Sequence, residues 1–407
     1  MNNKWTVCLA ALGLVSVASV AQAEEKASQQ VLTSLSSTTL SGYVDTSAHW
    51  NFGTGNANLP GYKFNSPSKA DGFNLNVVQV SLDKPLDESE WASGYHVDMW
   101  AGPDAGALGT GGDVAIRQAY VALRVPLGSG LNLKMGVFDS IVGYENLEAG
   151  KNPNYTRSYG NTLDPQTHTG LLATYRFCEV FSASAGVANT AGPAINERAH
   201  ELDTTRAESY KTYMGSVALT APEGMGFLKG SSLYAGVVSG FNNTHAANSS
   251  LPAATPADPA AIPPTLASAN AIPAQTYYIG STITTPIEGL RFGAAYDLLV
   301  ANSYDTLADL QHKSDDSALA GYVSYQATEK LSLHGRFDWL RVDNDTVGSV
   351  NDQNTYATTA TVQYDLWANV LSRLEFRWDH AEHGNVTYGN ADRANAFLLA
   401  LNVIYKF

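Results

Sequence analysis

Cysteine and charge are both scarce in this sequence. Two cysteines occur in 407 residues, and charged residues make up only 15% of the chain. Cys8 lies in an N-terminal apolar segment, so Cys178 stands alone in the remainder and no internal disulfide can form there. Acidic residues outnumber basic ones by 38 to 24, a balance that argues against nucleic acid as a partner.

Long apolar runs and catalytic motifs are missing as well. Beyond residue 23 there is no run of about 18 consecutive apolar residues, which excludes transmembrane helices. We find no heptad repeat, no glycine-rich phosphate loop followed by lysine, no G-x-S-x-G and no cysteine-based zinc pattern. His380 and His383 in "HAEH" have metal-like spacing, but a strand end does not hold such a pair in fixed register. The sequence therefore implies no cofactor and no metal.

The N-terminus has the three parts of a secretory signal peptide. Lys4 supplies the positive charge, an apolar stretch follows, and an A-x-A cleavage pattern ends at Ala23. We predict that residues 1–23 are removed and that residues 24–38 form a short periplasmic lead-in. Loss of Lys4, the one charged residue of that segment, moves the formal net charge from −14 to −15. An exported chain without disulfides must be stabilised by core burial or by a membrane.

Apolar and polar residues alternate with period two along much of the remaining chain. In residues 371–379, "LSRLEFRWD", for example, Leu374, Phe376 and Trp378 alternate with charged residues. Segments of about 9–11 residues with this alternation are typical of transmembrane strands that have one lipid face and one wet face. We predict about sixteen strands, at residues 39–52, 73–83, 94–101, 114–125, 130–138, 168–177, 179–188, 211–220, 231–241, 276–285, 290–299, 317–326, 331–340, 354–365, 371–379 and 393–407.

The connections between these strands alternate in length. Short ones contain the Pro and Gly of tight turns, as in "PLGSG" (126–130). The long ones are 53–72, 139–167, 189–210 and 242–275. An outer-membrane barrel sorts its connections into short periplasmic turns and long outer loops, whereas a soluble sandwich has no reason to do so. We therefore predict a transmembrane antiparallel β-barrel over residues 39–407 as one domain, with 242–275 as an Ala/Pro-rich outer loop.

The chain ends on an apolar face. In "LLALNVIYKF" (398–407), bulky apolar residues occupy every second position up to Tyr405 and Phe407. A last strand that closes a barrel against the first is paired rather than frayed. The pattern also resembles the terminal signal that the barrel assembly machinery of the outer membrane recognises. We therefore expect Tyr405 and Phe407 to serve assembly.

Three segments resemble the OmpL-like β-barrel porins. They are "AIRQAYVALRVPLGSGLNLKMGVFDSIVGYE" (115–145), "YTRSYGNTLDPQTHTGLLATYRF" (155–177) and "KTYMGSVALTAPEGMGFLKGSSLYAGVVSGFN" (211–242). The resemblance covers most of the chain and implies a non-enzymatic channel in the outer membrane of a Gram-negative cell envelope. Small hydrophilic solutes and ions would diffuse through it passively, with outer-membrane lipid around the wall. A homotrimer is compatible with such a barrel, although no feature of the sequence demonstrates one.

Three other classes of protein remain open from the residues themselves. A structural or adhesive barrel without a conducting lumen would need a partner for every inward charge, because buried unpaired charge is costly. A hydrolase at the outer rim would use the pairs Asp315-Asp316 and Asp379-His380. A soluble periplasmic binding protein is disfavoured by the sorted connections.

The connection 139–167 and the inner faces of two later strands carry the candidate residues of a pore constriction. By analogy with trimeric general porins, a loop at this position would fold into the pore. The candidates are Glu145, Glu148, Lys151 and Arg157 in the connection, with Arg336, Asp338, Arg373, Glu375 and Arg377 on the inward faces of the thirteenth and fifteenth strands. Acidic and basic groups opposed across a narrow gap would set a transverse field that tunes ion choice. In the alternative, the loop stays outside and the arginines pair with Glu375 and Asp379 nearby.

Overall fold

A computed structural model describes residues 31–32, 37–108, 112–199, 209–242, 272–305, 310–346, 349–382 and 387–407. The predicted signal peptide, 1–23, lies outside the described residues, as do most of the predicted lead-in and of the outer loop 242–275. The strands are β1 (Val31–Leu32), β2 (Thr39–Trp50), β3 (Asp71–Lys84), β4 (Ser93–Ala101), β5 (Val114–Val125), β6 (Leu131–Asp139), β7 (Thr167–Arg176), β8 (Phe181–Ala188), β9 (Thr212–Thr220), β10 (Ser232–Asn242), β11 (Ile272–Thr284), β12 (Leu290–Asp305), β13 (Leu310–Gln326), β14 (Leu331–Thr346), β15 (Ser349–Tyr364), β16 (Val370–Ala381) and β17 (Asn395–Lys406). The connections contain α1 (Tyr159–Leu163) and the 3-10 turns Pro67–Lys69, Pro103–Leu108, Ala149–Lys151 and Glu223–Leu228. Within the described part of the chain, no helix has the length and apolar character needed to cross a membrane.

Strands β2 to β17 form a closed ring of antiparallel strands. Each pairs with its neighbours in sequence, and β17 closes the ring against β2 through pairs such as Tyr405 with Val44. β1 pairs with the first two residues of β2. A closed ring satisfies its backbone hydrogen bonds internally, which the hydrocarbon core of a membrane requires. The predicted antiparallel barrel of about sixteen strands is therefore confirmed.

Strands β12 to β15 are longer than the sequence pattern predicts. β13 begins at Leu310, whereas the alternation begins near residue 317. The added segment, "LQHKSDD" (310–316), has few apolar residues, so backbone pairing continues after the lipid-facing pattern has ended. The connections after β12 and β14 consequently span only residues 306–309 and 347–348. These two connections are therefore much shorter than the four long ones that the sequence indicates.

Side chains alternate between the two faces of the wall. On β16, Leu374, Phe376 and Trp378 are 39–49% exposed on the outside. Arg373 and Arg377 occupy alternate positions of the same strand, face the lumen and are at most 1% exposed. An apolar outer band over a polar and charged inner face is what a membrane barrel with a wet interior requires.

The last residue is held at the seam of the ring. The Phe407 N–H donates to the Gly42 carbonyl oxygen at 3.0 Å, and the Gly42 N–H donates to the Phe407 carbonyl oxygen at 2.9 Å. A Cβ at Gly42 would lie 2.7 Å from Cζ of Phe407 and 2.2 Å from the Gln79 carbonyl oxygen. Glycine therefore leaves the room that the terminal ring and the neighbouring strand occupy.

Candidate functional site

The connection between β6 and β7, residues 140–166, runs along the inner wall of the barrel; we call it the third loop. The Glu375 carboxylate on β16 accepts hydrogen bonds from the N–H groups of Tyr155 (2.6 Å) and Thr156 (2.8 Å). Asn154 Nδ2 donates to Thr361 Oγ1 on β15 at 2.7 Å. These contacts join the loop to inward side chains of the wall. The third loop therefore lies inside the barrel and not over its mouth.

Hydrogen bonds between residues of the third loop stabilise its conformation. Asn152 closes a turn, because its Oδ1 accepts the Asn146 N–H and its Nδ2 donates to the Asn146 carbonyl oxygen, both at 2.7 Å. Ser158 caps α1 by accepting the Asn161 N–H at 3.2 Å. Ser and Asn are favoured at turns and helix N-caps for this reason. The loop thus enters the lumen as an internally hydrogen-bonded segment.

Arg336 on β14 connects the wall, two carboxylates and the loop backbone. Its Nε donates to Asp338 at 2.8 Å, and its Nη1 donates to Glu145 at 3.1 Å and to the Thr156 carbonyl oxygen at 2.5 Å. Its Nη2 donates to the Arg157 carbonyl oxygen at 3.0 Å. The guanidinium is buried, so these partners replace the water that it gives up.

Arg373 on β16 binds carbonyl oxygens of the third loop. Its Nη1 donates to the carbonyl oxygens of Asn152 (2.9 Å) and Asn154 (3.1 Å). Its Nε and Nη2 donate to Asn402 Oδ1 on β17 at 3.1 and 2.7 Å. The side chain therefore fixes the loop to two adjacent strands.

Arg377, two residues further along β16, combines an ion pair with aromatic contacts. Its Nη2 and Nε donate to Asp379 Oδ1 at 2.7 and 3.0 Å, and its Nη1 donates to the Arg157 carbonyl oxygen at 2.6 Å. The guanidinium carbon lies 3.9 Å from the ring centroid of Tyr62 and 5.0 Å from that of Tyr159. The ring of Tyr62 thus covers the same cation that anchors the third loop.

The predicted opposition of acidic and basic groups across a gap is wrong. Glu145 contacts Arg336, and Arg373 and Arg377 bind the backbone of the third loop. The loop is long enough to reach these strands, and burial favours contact because an unpaired buried charge is costly. The alternative with the loop outside is also wrong, although its local pairing of Arg377 with Asp379 does occur.

Arg117 on β5 is the centre of a second charge cluster, which was not among the residues predicted from the sequence. Its Nη2 lies 2.6 Å from Asp98 and 2.9 Å from Glu148, and its Nη1 lies 2.8 Å from Asp139. Glu148 also pairs with Lys151 at 2.9 Å. Burial raises the pKa of Glu148, but Arg117 and Lys151 outweigh it and hold that pKa below its usual value. One feature of the sequence could have indicated this cluster: Arg117 is a charged residue at an inward position of a strand in which apolar and polar residues alternate.

Arg157 of the third loop contacts residues of two loops. Its Nη2 donates to the Leu147 carbonyl oxygen at 2.8 Å, and its guanidinium lies 5.4 Å from the ring centroid of Phe64. Phe64 and Tyr62 belong to the connection between β2 and β3, residues 51–70, which we call the first loop. The first loop therefore packs on the third, a contact that no sequence pattern indicates.

The third loop also contacts strands away from β14 and β16. Tyr144 stacks on Tyr322 of β13 with ring centroids 4.3 Å apart, and its hydroxyl lies 3.2 Å from Thr282 Oγ1 on β11. Ile141 and Val142 belong to a buried apolar cluster with inward residues of β7 and β9 to β13. The loop therefore touches the wall on two sides and fills part of the lumen.

The acids considered for a rim hydrolase have other roles. Asp379 faces the lumen in its ion pair with Arg377. His380 follows on the same strand, faces the other side, and contacts Asn395 Oδ1 at 3.0 Å. Successive residues of a strand point to opposite faces, so these two cannot form an Asp-His pair. Asp316 accepts a hydrogen bond from Ser314 Oγ at 2.9 Å.

Sites for zinc and similar metals need several His, Cys or carboxylate side chains close together. No three or more His, Cys, Asp or Glu side chains there are placed to hold one metal ion. His383 of the "HAEH" pair lies outside that part.

The fold is similar to those of solved outer-membrane proteins. The outer membrane channel DcaP of Acinetobacter baumannii has a TM-score of 0.60 at 12% identity, with 92% of this chain and 99% of that chain covered. The trimer form of OmpT, an outer membrane protein of Vibrio cholerae, has a TM-score of 0.56 at 12% identity, with 91% and 99% covered. An anion-selective porin from Comamonas acidovorans has a TM-score of 0.56 at 10% identity, with 91% and 99% covered. At this identity the similarity shows the barrel fold alone.

Sequence comparison supplies the family. No curated protein matches the chain. A family model described as "Putative beta-barrel porin-2, OmpL-like" matches residues 37–407. The match includes every strand of the ring and agrees with the resemblance carried by the three segments quoted above. The chain belongs to the OmpL-like β-barrel porins and is a porin of the outer membrane.

Proposed function

We propose that small hydrophilic solutes and ions diffuse passively through the lumen and that the third loop forms its constriction. The observation that carries this proposal is the attachment of the loop backbone to the inner wall by Arg336, Arg373 and Glu375. A loop held inside a barrel by charge-assisted hydrogen bonds narrows the path at its own height and lines it with fixed charges.

Nine residues contribute to the proposed constriction. They are Glu145, Glu148, Lys151, Arg157, Arg336, Asp338, Arg373, Glu375 and Arg377. Asp338 and Glu375 hold Arg336 and the loop amides in place. The side chain of Lys151 is 39% exposed, so its ammonium group is accessible to a passing ion.

Conductance and reversal potential in a planar bilayer with a salt gradient test this function. We expect stepwise conductance from the purified protein. Replacing Arg373 and Arg377 together by Gln should shift the reversal potential toward cations, because two fixed positive charges of the inner wall beside the path are removed. Replacing Glu145 and Glu148 together by Gln should shift it toward anions.

Lys330→Gln, in the exposed turn between β13 and β14, is the matched control and should leave the reversal potential unchanged. If neither double variant changes selectivity or single-channel conductance, the third loop does not form the constriction. A correctly inserted barrel that never conducts would favour a structural barrel. The buried apolar cluster around Ile141 and Val142 is the observation in favour of that second candidate.

Assembly and processing complete the proposal. We propose that residues 1–23 are removed as a signal peptide and that the barrel assembly machinery recognises the last strand through Tyr405 and Phe407. The hydrogen bonds between Phe407 and Gly42 support a role for that residue in closing the ring. We also propose a homotrimer, because one protein with a similar fold is described in a trimer form.

A further inference from the structure

A cavity lies at the neck of the third loop, where the loop leaves β6 and returns to β7. It is lined by residues 139–140 and 142–147, by Asn161 and residues 164–166, and by Lys63 of the first loop. Next to it, β12 places the carboxyl group of Asp297 against that of Asp164. The cavity is therefore bounded by both loops and lies beside the wall.

Two glycines make room for these carboxyl groups. A Cβ at Gly143 would lie 2.7 Å from Asp164 Oδ2, and a Cβ at Gly160 would lie 2.1 Å from Asp297 Oδ2. Gly143 also has a φ of +108°, which other residues rarely adopt. Asp164 and Asp297 are 7% and 3% exposed, so two acids face each other in a buried position.

The oxygen atoms around this cavity lack hydrogen-bond donors. Within the described part of the chain, Oδ1 of Asn161 and Oε1 of Gln166 have no hydrogen-bond partner, and the only side-chain hydrogen bond of Asp164 joins its carboxyl group to that of Asp297. Asn161 is 5% exposed. Buried polar atoms in native proteins normally have partners. The two amide oxygens are acceptors, so their missing partner must be a donor or a cation.

The local charge favours a cation. Asp164 and Asp297 lie near a third carboxylate, Glu145, which Arg336 binds. Lys63 is close, but its Nζ donates to the main-chain oxygen of Asp164 at 3.3 Å and not to a carboxylate. The hydrogen bond between the two carboxyl groups needs one proton. A cation that replaces this proton would bind both groups in their ionised form and relieve their repulsion.

We propose that this cavity binds one hard divalent cation, such as calcium, through Asp164, Asp297, Asn161 and Gln166, with water completing the coordination. Calcium takes oxygen ligands of this kind, carboxylate and amide, about six to eight in number. No Cys or His, the ligands preferred by zinc and copper, is among the described residues that line the cavity. The bound cation joins the end of the third loop to β12. The site does not depend on whether the lumen conducts.

Terbium luminescence tests the site. Tb³⁺ replaces calcium at oxygen sites and is excited by a nearby tyrosine, here Tyr144 in the cavity lining. With detergent-solubilised protein stripped by a chelator, we expect saturable emission that added calcium displaces. Asp164→Asn and Asp297→Asn should each weaken terbium binding by about tenfold or more, because each removes a charged ligand.

Glu179→Gln, in the exposed turn between β7 and β8, should leave the emission unchanged. Calcium should raise the midpoint of thermal unfolding of the unaltered protein and not of the Asp164 and Asp297 variants. Heat-modifiable migration in gel electrophoresis verifies that each variant is folded. Absence of saturable emission from the unaltered protein, or emission that both Asn variants retain, would overturn the proposal and leave water as the occupant.

Discussion

Replacing residues 145–162 of the third loop by a short Gly-Ser linker is expected to raise the single-channel conductance several-fold. The loop is bonded to β14 and β16 and packs toward β11 and β13, so it occupies cross-section that solvent would otherwise fill. A barrel of about sixteen strands without such a loop leaves an aqueous channel. Planar-bilayer recording of the excised and unaltered proteins measures the change.

Deletion of residues 200–208, in the connection between β8 and β9, is the control for shortening an outer connection. It should leave the conductance near that of the unaltered protein. An excised third loop with unaltered conductance would place the narrowest part of the path elsewhere. If neither protein conducts after correct insertion, passive diffusion itself is contradicted.

Arg117→Met is expected to lower the free energy of unfolding by about 3–5 kcal/mol, because it leaves buried carboxylates without their cation. The carboxylates belong to Asp98 on β4, Asp139 on β6 and Glu148 in the third loop. One guanidinium therefore joins the wall to the loop. Equilibrium unfolding in denaturant, with the barrel folded into lipid vesicles, measures the loss.

Lys151→Met is the matched control, since it removes another cation from Glu148. The Lys151 side chain is 39% exposed, and exposed ion pairs contribute only about 0–1 kcal/mol. Adding Asp98→Asn to Arg117→Met should recover part of the loss by removing one unpaired charge. A loss from Arg117→Met no larger than that from Lys151→Met would contradict the central role of the arginine.

Strand number and the two faces of the wall were predictable because each depends on residues close in sequence. Leu374, Phe376 and Trp378 alternate with charged residues on β16, and a strand turns successive side chains to opposite faces. The same local rule did not reveal where β13 begins, since pairing runs on through "LQHKSDD" without an apolar face. The alternation of β5 could have marked Arg117 as inward, but it carries no information about the partners of that residue.

The path of the third loop was decided only by the tertiary structure. Glu145 and Arg336 are 191 residues apart in sequence, and Tyr155 and Glu375 are 220 apart. A period-two pattern carries no information about such pairs. The sequence alone determined the closed barrel, because lipid requires an apolar outer face and paired backbone along every strand. The conformation of the loops determines which charged side chains pair inside the barrel. A buried charge without a partner is costly, so each pairs with an opposite charge that the loops bring close to it.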